Sequence, residues 1–289
     1  MRSTGVLTDL VMDIRQAGRA LGRGPGFAAL AVVVMALGIG ANTAVFSVVN
    51  AVLLKPLPYP NADRIVGLYS DYGLESLDQV TIADFRDWRE RSTSFAAMAT
   101  YRFLDVPASP GAAAEFAKTA VVDADFFRVF GVEPVIGRGF TRDDMAAESR
   151  VALISYGYWQ SRFGGDPAVL TRAVRVNTTD WSIVGVLPPS FGFPPQRDLW
   201  LVELTRSTSR TGRNFLAVAR LKPVLSLEQA RSELKAVAAR LEQQYPDSNK
   251  GRSAAVVGLQ DRLVLDVRLT LYLLWGVAGV VLLIACANT

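Results

Sequence analysis

Histidine is absent from all 289 residues, and cysteine occurs once, at Cys286. Without histidine the chain has no Ser-His-Asp or Cys-His catalytic arrangement and no imidazole metal ligand. With one cysteine no disulfide forms within the chain, so a folded domain must rest on its apolar core alone. No G-x-x-x-x-G-K-[ST] loop occurs, which excludes nucleotide binding in the P-loop manner. The glycines of Gly22-Arg-Gly-Pro-Gly26 follow a helical pattern, not a strand, and read as a helix breaker. Excess charge is scarce too. Lys and Arg number 31 against 27 Asp and Glu, a net of +4. Residues 1–23 hold Arg2, Arg15, Arg19 and Arg23 against Asp9 and Asp13, which leaves only +2 for residues 55–268. No basic patch results, and nucleic acid is not an expected partner.

Two stretches carry no charge at all, Gly24 to Leu54 and Leu269 to Thr289. A bilayer core about 30 Å thick needs roughly 20 apolar helical residues, and both stretches reach that length. The first exceeds the apolar region of about 7–15 residues of a cleaved signal peptide. The alternative for the second is a buried core helix, but it has no polar face. Transmembrane helices are therefore expected at 24–55 and 269–289. The arginines before the first place the N-terminus in the cytoplasm. One crossing then puts residues 56–268 outside, in a multi-pass protein of the inner (plasma) membrane. From Phe27 to Leu54 a helix measures about 42 Å at 1.5 Å per residue, so it must tilt or run beyond the bilayer. Ala36, Gly40 and Ala44 repeat at the small-xxx-small spacing of close helix packing, and Asn42, Ser47 and Asn50 call for a partner helix in lipid.

Before the first stretch, residues 1–23 read as a cytoplasmic amphipathic helix. Leu7, Leu10, Val11 and Ile14 form an apolar stripe, with Arg15 and Arg19 off it. Such a helix lies in the membrane interface, and it also offers a docking surface to a cytoplasmic partner.

The region between the two apolar stretches mixes strands and helices, an α+β ectodomain built of βαβ-type units. Ile65–Tyr69, Phe215–Leu221 and Ala254–Leu259 read as strands. Thr81 caps a helix that buries Ile82, Phe85 and Trp88. Ser226 and Gln229 form a capping box for a helix with Leu227, Ala230, Leu234, Val237, Leu241 and Tyr245 inward, ended by Pro246. These units pair in a membrane-proximal lobe, about 60–100 and 211–265. Residues about 101–210 form an inserted lobe. There Asp123–Gly131 and Ser155–Gly165 are short helices closed by glycine. Ala173–Val176 and Trp181–Val186 form a hairpin turned at Asn177–Asp180. The acids Asp143, Asp144 and Glu148 suit a helix start capped by Thr141. Phe126, Phe127, Trp159 and Phe163 read as core.

Many segments, taken in order, resemble the MacB/FtsX-like permeases of ABC transporters, especially the long duplicated forms common in acidobacteria. They include Ala36-Leu-Gly-Ile-Gly-Ala-Asn-Thr-Ala44, Phe46 to Pro60 with its Lys55-Pro-Leu-Pro-Tyr-Pro60 end, Gly137-Arg-Gly-Phe-Thr141, Arg162-Phe-Gly-Gly-Asp-Pro167, Val184-Gly-Val-Leu-Pro188, Ala219-Arg-Leu-Lys222 and Leu282 to Asn288. The resemblance implies a MacB-like periplasmic core domain over 56–268. It also implies a dimer of permease copies, a cytoplasmic ATPase that binds the ATP so that this chain needs no cofactor, and a periplasmic adaptor as a further partner. Residues 1–23 would then dock the ATPase, and Ala36, Gly40 and Ala44 would pack membrane helices. Permeases of this kind transmit ATP-driven motion for export or efflux and catalyse nothing themselves. They carry at least two further membrane helices, so the chain is expected to be a fragment or shortened reading frame. Val224-Leu225 departs from the family's usual Gly-Val. The competing reading is a membrane-anchored periplasmic binding or sensor module.

Overall fold

The computed structural model describes residues 25–50, 56–73, 77–109, 115–204 and 207–287. It holds two compact units: Pro56–Leu263, and the remainder comprising Met1–Lys55 and Val264–Thr289. The expected amphipathic helix, with Leu7, Leu10, Val11, Ile14, Arg15 and Arg19, lies outside the described residues.

In chain order the elements are α1 (Pro25–Val49), β1 (Ile65–Asp71), β2 (Leu77–Asp78), β3 (Val80–Thr81), α2 (Ile82–Arg91), β4 (Phe95–Ser109), β5 (Glu115–Val122), α3 (Phe126–Phe130), β6 (Ile136–Gly137), α4 (Arg142–Ala146), β7 (Val151–Ile154), α5 (Tyr156–Phe163), β8 (Ala173–Val176), β9 (Thr179–Val186), β10 (Leu199–Val202), β11 (Arg213–Leu221), α6 (Leu227–Gln244), α7 (Pro246–Asn249), β12 (Ser253–Gly258) and α8 (Leu259–Ala287). Among the described residues the strands form one sheet in the order β12-β1-β11-β4-β5-β10-β7-β9-β6, with β2 and β3 on its margins and β8 paired to both β4 and β9.

The strands' period of two sorts side chains onto opposite faces, and three cores follow from it. On one face of the first half, Val66, Leu68, Ala217, Ala219 and Val256 pack under Phe85 and Trp88 of α2 and under Ala230, Leu234, Val237 and Leu241 of α6. On the corresponding face of the second half, Ala152, Ile154, Leu199 and Leu201 pack against Tyr158, Trp159 and Phe163 of α5. The alternate residues of both halves, among them Ile65, Val218, Val122, Leu153 and Trp200, share a central core with Phe126, Phe127 and Phe130 of α3.

The expected lobe boundary near residue 100 falls inside β4. That strand pairs with β11 through Tyr101 and with β5 from Tyr101 onward. The two lobes therefore share a strand and a core. The caps form as read. The Thr81 side chain accepts from Asp84 N, and Ser226 and Gln229 form a capping box. The hairpin turn is tighter than expected: Val176 already pairs with Thr179, with Asn177 left-handed at φ 55°.

In the other unit, the Asn42 side-chain amide of α1 donates to Gly38 O at 3.1 Å and to Ala278 O of α8 at 2.9 Å. Thr43 and Ser47 bond back to Ile39 O and Thr43 O within α1. Val33, Ile39 and Phe46 on α1 and Leu273, Trp275 and Val277 on α8 are exposed apolar side chains. Among the described residues no single helix is long and apolar enough to cross a membrane; Leu259–Leu265 and Thr270–Val280 pass that test only as a bent pair.

Candidate functional site

The chain enters and leaves the sheet at one end, because β1 is flanked by antiparallel β11 and β12, with Ile65 opposite Arg220 and Val66 opposite Gly258. The entry segment is rich in prolines (Pro56, Pro58 and Pro60), which lack backbone donors, and it runs through bends into a 3-10 turn at Ala62–Arg64. It is anchored by Tyr59, whose ring meets Phe130 edge-on at 5.0 Å and Phe191 at 5.8 Å. Burial raises the Tyr59 phenol above its usual range, against a hydrogen bond with the Gly192 backbone. Ala62 and Ile65 follow into the same core, and so does Leu259, the first residue of α8.

Three arginines fasten this end. Arg220 of β11 donates through Nε to Val129 O at 2.7 Å and through Nη1 to Pro60 O at 2.9 Å, joining the entry segment to the last turn of α3. Burial lowers its pKa, with Arg64 adding to the shift and Asp63 opposing it. Arg64 donates to the carbonyls of Lys222 and Leu225, in the turn after β11. Arg262, in the first turn of α8, lies 5.9 Å from the Tyr69 ring. Burial raises the Tyr69 phenol, and the charge and hydrogen bond of Arg262 oppose that. Tyr101, held far above its normal range mainly by burial, packs on Phe126 at 5.6 Å and Phe193 at 5.5 Å. Entry and exit thus converge on one aromatic cluster.

Where the halves of the sheet meet, a cleft of about 770 Å³ is lined by Arg86, Arg89, Asp123, Arg142 and Glu203, among others. Each buried acid there is tied to an arginine from another segment: Asp123 to Arg89 at 2.9 Å, Glu203 to Arg102 at 2.8 Å, and nearby Asp125 to Arg142 at 2.7 Å. Desolvation raises Asp123 above the usual carboxylate range despite Arg89. Burial also works to raise Asp125, but hydrogen bonds from Arg142 and Arg128 outweigh it and hold the group low. Asp144, gripped by Arg138 and capping α4 with Thr141, is likewise lowered. Among the described residues no group of three or more acids or cysteines is placed to hold a metal. Chemically the arrangement is a set of clamps on stiff elements.

Residues 28–237 match the family model of the MacB-like periplasmic core domain. The chain belongs to that family.

Three solved structures share the fold of this MacB-like domain. A domain of a proposed permease protein from Porphyromonas gingivalis is 20% identical with a TM-score of 0.55, covering 70% of this chain and 93% of its own. The periplasmic region of MacB from Actinobacillus actinomycetemcomitans is 12% identical with a TM-score of 0.55, covering 75% and 98%. The extracellular domain of the noncanonic ABC-type transporter YknZ from Gram-positive bacteria is 15% identical with a TM-score of 0.51, covering 67% and 99%. No curated protein matches the chain. The resemblance to MacB/FtsX-like permeases drawn from scattered segments therefore holds.

Of the residues expected to serve the MacB-like chain, Ala36, Gly40 and Ala44 are exposed on α1, and a Cβ at Gly40 would meet nothing within 4 Å. Asn42, beside buried Gly38, contacts α8. Arg64, Arg220 and Arg262 were not singled out from sequence. The available signal was Arg220 itself, a lone charge in the apolar strand Phe215–Leu221.

Proposed function

We propose that this chain is the N-terminal part of a permease subunit that carries ATP-driven motion from a cytoplasmic ATPase to the MacB-like domain, for export or efflux. The observation that carries the reading is the convergence of entry and exit on one core through Tyr59 and Leu259. A displacement of either flanking helix would reach a stiff, close-packed body, since protein interiors transmit strain instead of absorbing it. Family membership supports the class of machine. The apolar stretches at 24–55 and 269–289 are the membrane anchors of this scheme, residues 1–23 the surface offered to the ATPase, and Ala36, Gly40 and Ala44 the face offered to a second permease copy. A periplasmic adaptor would meet the domain.

The test is reconstitution of the whole permease with the ATPase that co-purifies with it. Spin labels at Thr208→Cys in both copies of a Cys286→Ser background should change separation when ATP and vanadate trap the ATPase. An unchanged separation with hydrolysis intact would sink the mechanical reading, and so would the absence of any co-purifying ATPase. Deleting residues 1–22 should abolish the association; survival of binding would remove the docking role of that segment. The charged cleft favours a second reading, a membrane-anchored binding or sensor module. Small-molecule binding that Arg89→Ala abolishes, in a chain that binds no ATPase, would select it.

A further inference from the structure

Among the described residues within 56–258, four large apolar side chains are exposed: Phe103, Val135, Leu170 and Val224. Phe103 lies under the Arg197 guanidinium at 4.4 Å. Val224 stands out at 88% exposed, the highest value among the exposed large apolar residues. It occupies the third position of the turn Lys222-Pro-Val-Leu225, closed by Leu225 N to Lys222 O at 3.1 Å. Pro223 suits the second position of such a turn, while the third ordinarily takes a small or polar residue. Nothing in the fold requires valine there. The turn is also held still, since Arg64 donates to both Lys222 O and Leu225 O.

The position of this turn gives it meaning. It follows β11, whose Arg220 pairs with Ile65, so it lies at the end of the sheet where Pro56–Arg64 enters and Leu259 leaves. Both segments read as membrane helices connect to the domain at that end. We infer that the Lys222–Leu225 turn is a bilayer contact, with Val224 inserted at the boundary of headgroups and acyl chains and Lys222 facing lipid phosphate. An apolar tip flanked by a lysine fits that zone, where aliphatic groups are buried and cationic heads stay in the polar layer. This rests on the membrane-anchored reading above.

The single cysteine makes the test direct. In a Cys286→Ser chain, one cysteine at a time is placed at Val224, at Thr208 or at Val277 and labelled with an environment-sensitive fluorophore. Thr208 lies in the loop before β11, at the opposite end of that strand, and Val277 is an exposed position on α8. The full chain is reconstituted into phosphatidylcholine–phosphatidylglycerol vesicles containing lipids with a nitroxide near the headgroup. Quenching at 224 should exceed that at 208 by about twofold or more, as for an interfacial apolar group. Quenching at 277 but not at 224 would overturn the bilayer contact and leave the membrane anchor standing. No quenching at 277 would remove the anchor and the contact together. A blue-shifted label at 224 without lipid quenching would assign the tip to a second copy or another protein and likewise overturn the inference.

Discussion

Arg220 holds two backbone carbonyls from different segments, Val129 O and Pro60 O. Arg220→Met keeps the aliphatic stem and leaves the part-buried Val129 O without this donor, while Pro60 O lies where solvent reaches it. The expected loss is about 1 kcal/mol, read as a lower urea midpoint; an unchanged midpoint would mean water serves Val129 O equally well. Tyr59→Ala should cost about 3–5 kcal/mol, as large-to-small changes in packed aromatic cores do. The buried acids Asp123, Asp125 and Asp144 give opposite pH signatures. Asp144 and Asp125 are held low, so their contribution is present above the unfolded carboxylate range and is lost as pH falls through their folded values. Asp123 is raised, so its contribution is fullest below the unfolded value and is lost as pH rises through its folded value. Asp144→Asn should therefore flatten the loss of stability toward acid, and Asp123→Asn should steepen it. Urea titrations at a series of pH values distinguish the two; parallel slopes for both variants would refute the assignment.

At the level of elements, the caps and amphipathic stripes were legible because they are local. Ser226→Ala should weaken α6 by about 1 kcal/mol, the usual worth of an N-cap, as measured by chemical unfolding. Helices α2 and α6 and strands β1, β11 and β12 could be read from periodicity and capping for the same reason. The boundary read near residue 100 meets Tyr101, where β4 changes partners from β11 to β5, but that a single fifteen-residue strand runs through it is a long-range choice that leaves no mark on the alternation. The arginine fastenings were hidden similarly, since their acceptors are carbonyls up to 161 residues away in the chain. The contact between α1 and α8 was half legible: Asn42 was read as needing a partner helix, but its acceptor was not identified. Asn42→Leu should weaken that pairing by about 0.6–1 kcal/mol in a bilayer. Cysteine cross-linking between α1 and α8 measures it, and unaltered yield would show the hydrogen bond to be dispensable.

For the whole molecule, the shared central core decides how the domain comes apart. Ile65 and Val218 of one half and Leu153 and Trp200 of the other lie in the same cluster. Residues 56–263, expressed alone, should therefore unfold in a single cooperative step, with near- and far-ultraviolet dichroism coincident in urea. Two resolved transitions would show instead that the halves are independent lobes joined by a strand. The expected sidedness is open to the same directness: an impermeant maleimide should label Thr208→Cys in intact spheroplasts, and labelling only after lysis would place the domain with the N-terminus.

The pairing of Val66 with Gly258 has a consequence for how such proteins can be built and rebuilt. Neighbouring antiparallel strands run only about 5 Å apart, so the polypeptide departs almost where it arrived. A module with that geometry asks little of its host beyond a narrow gap between two chain ends, as insertions with close termini generally do. Exchanging the stretch between those two positions among permeases should then graft a new outer surface onto an existing engine without refitting the junction.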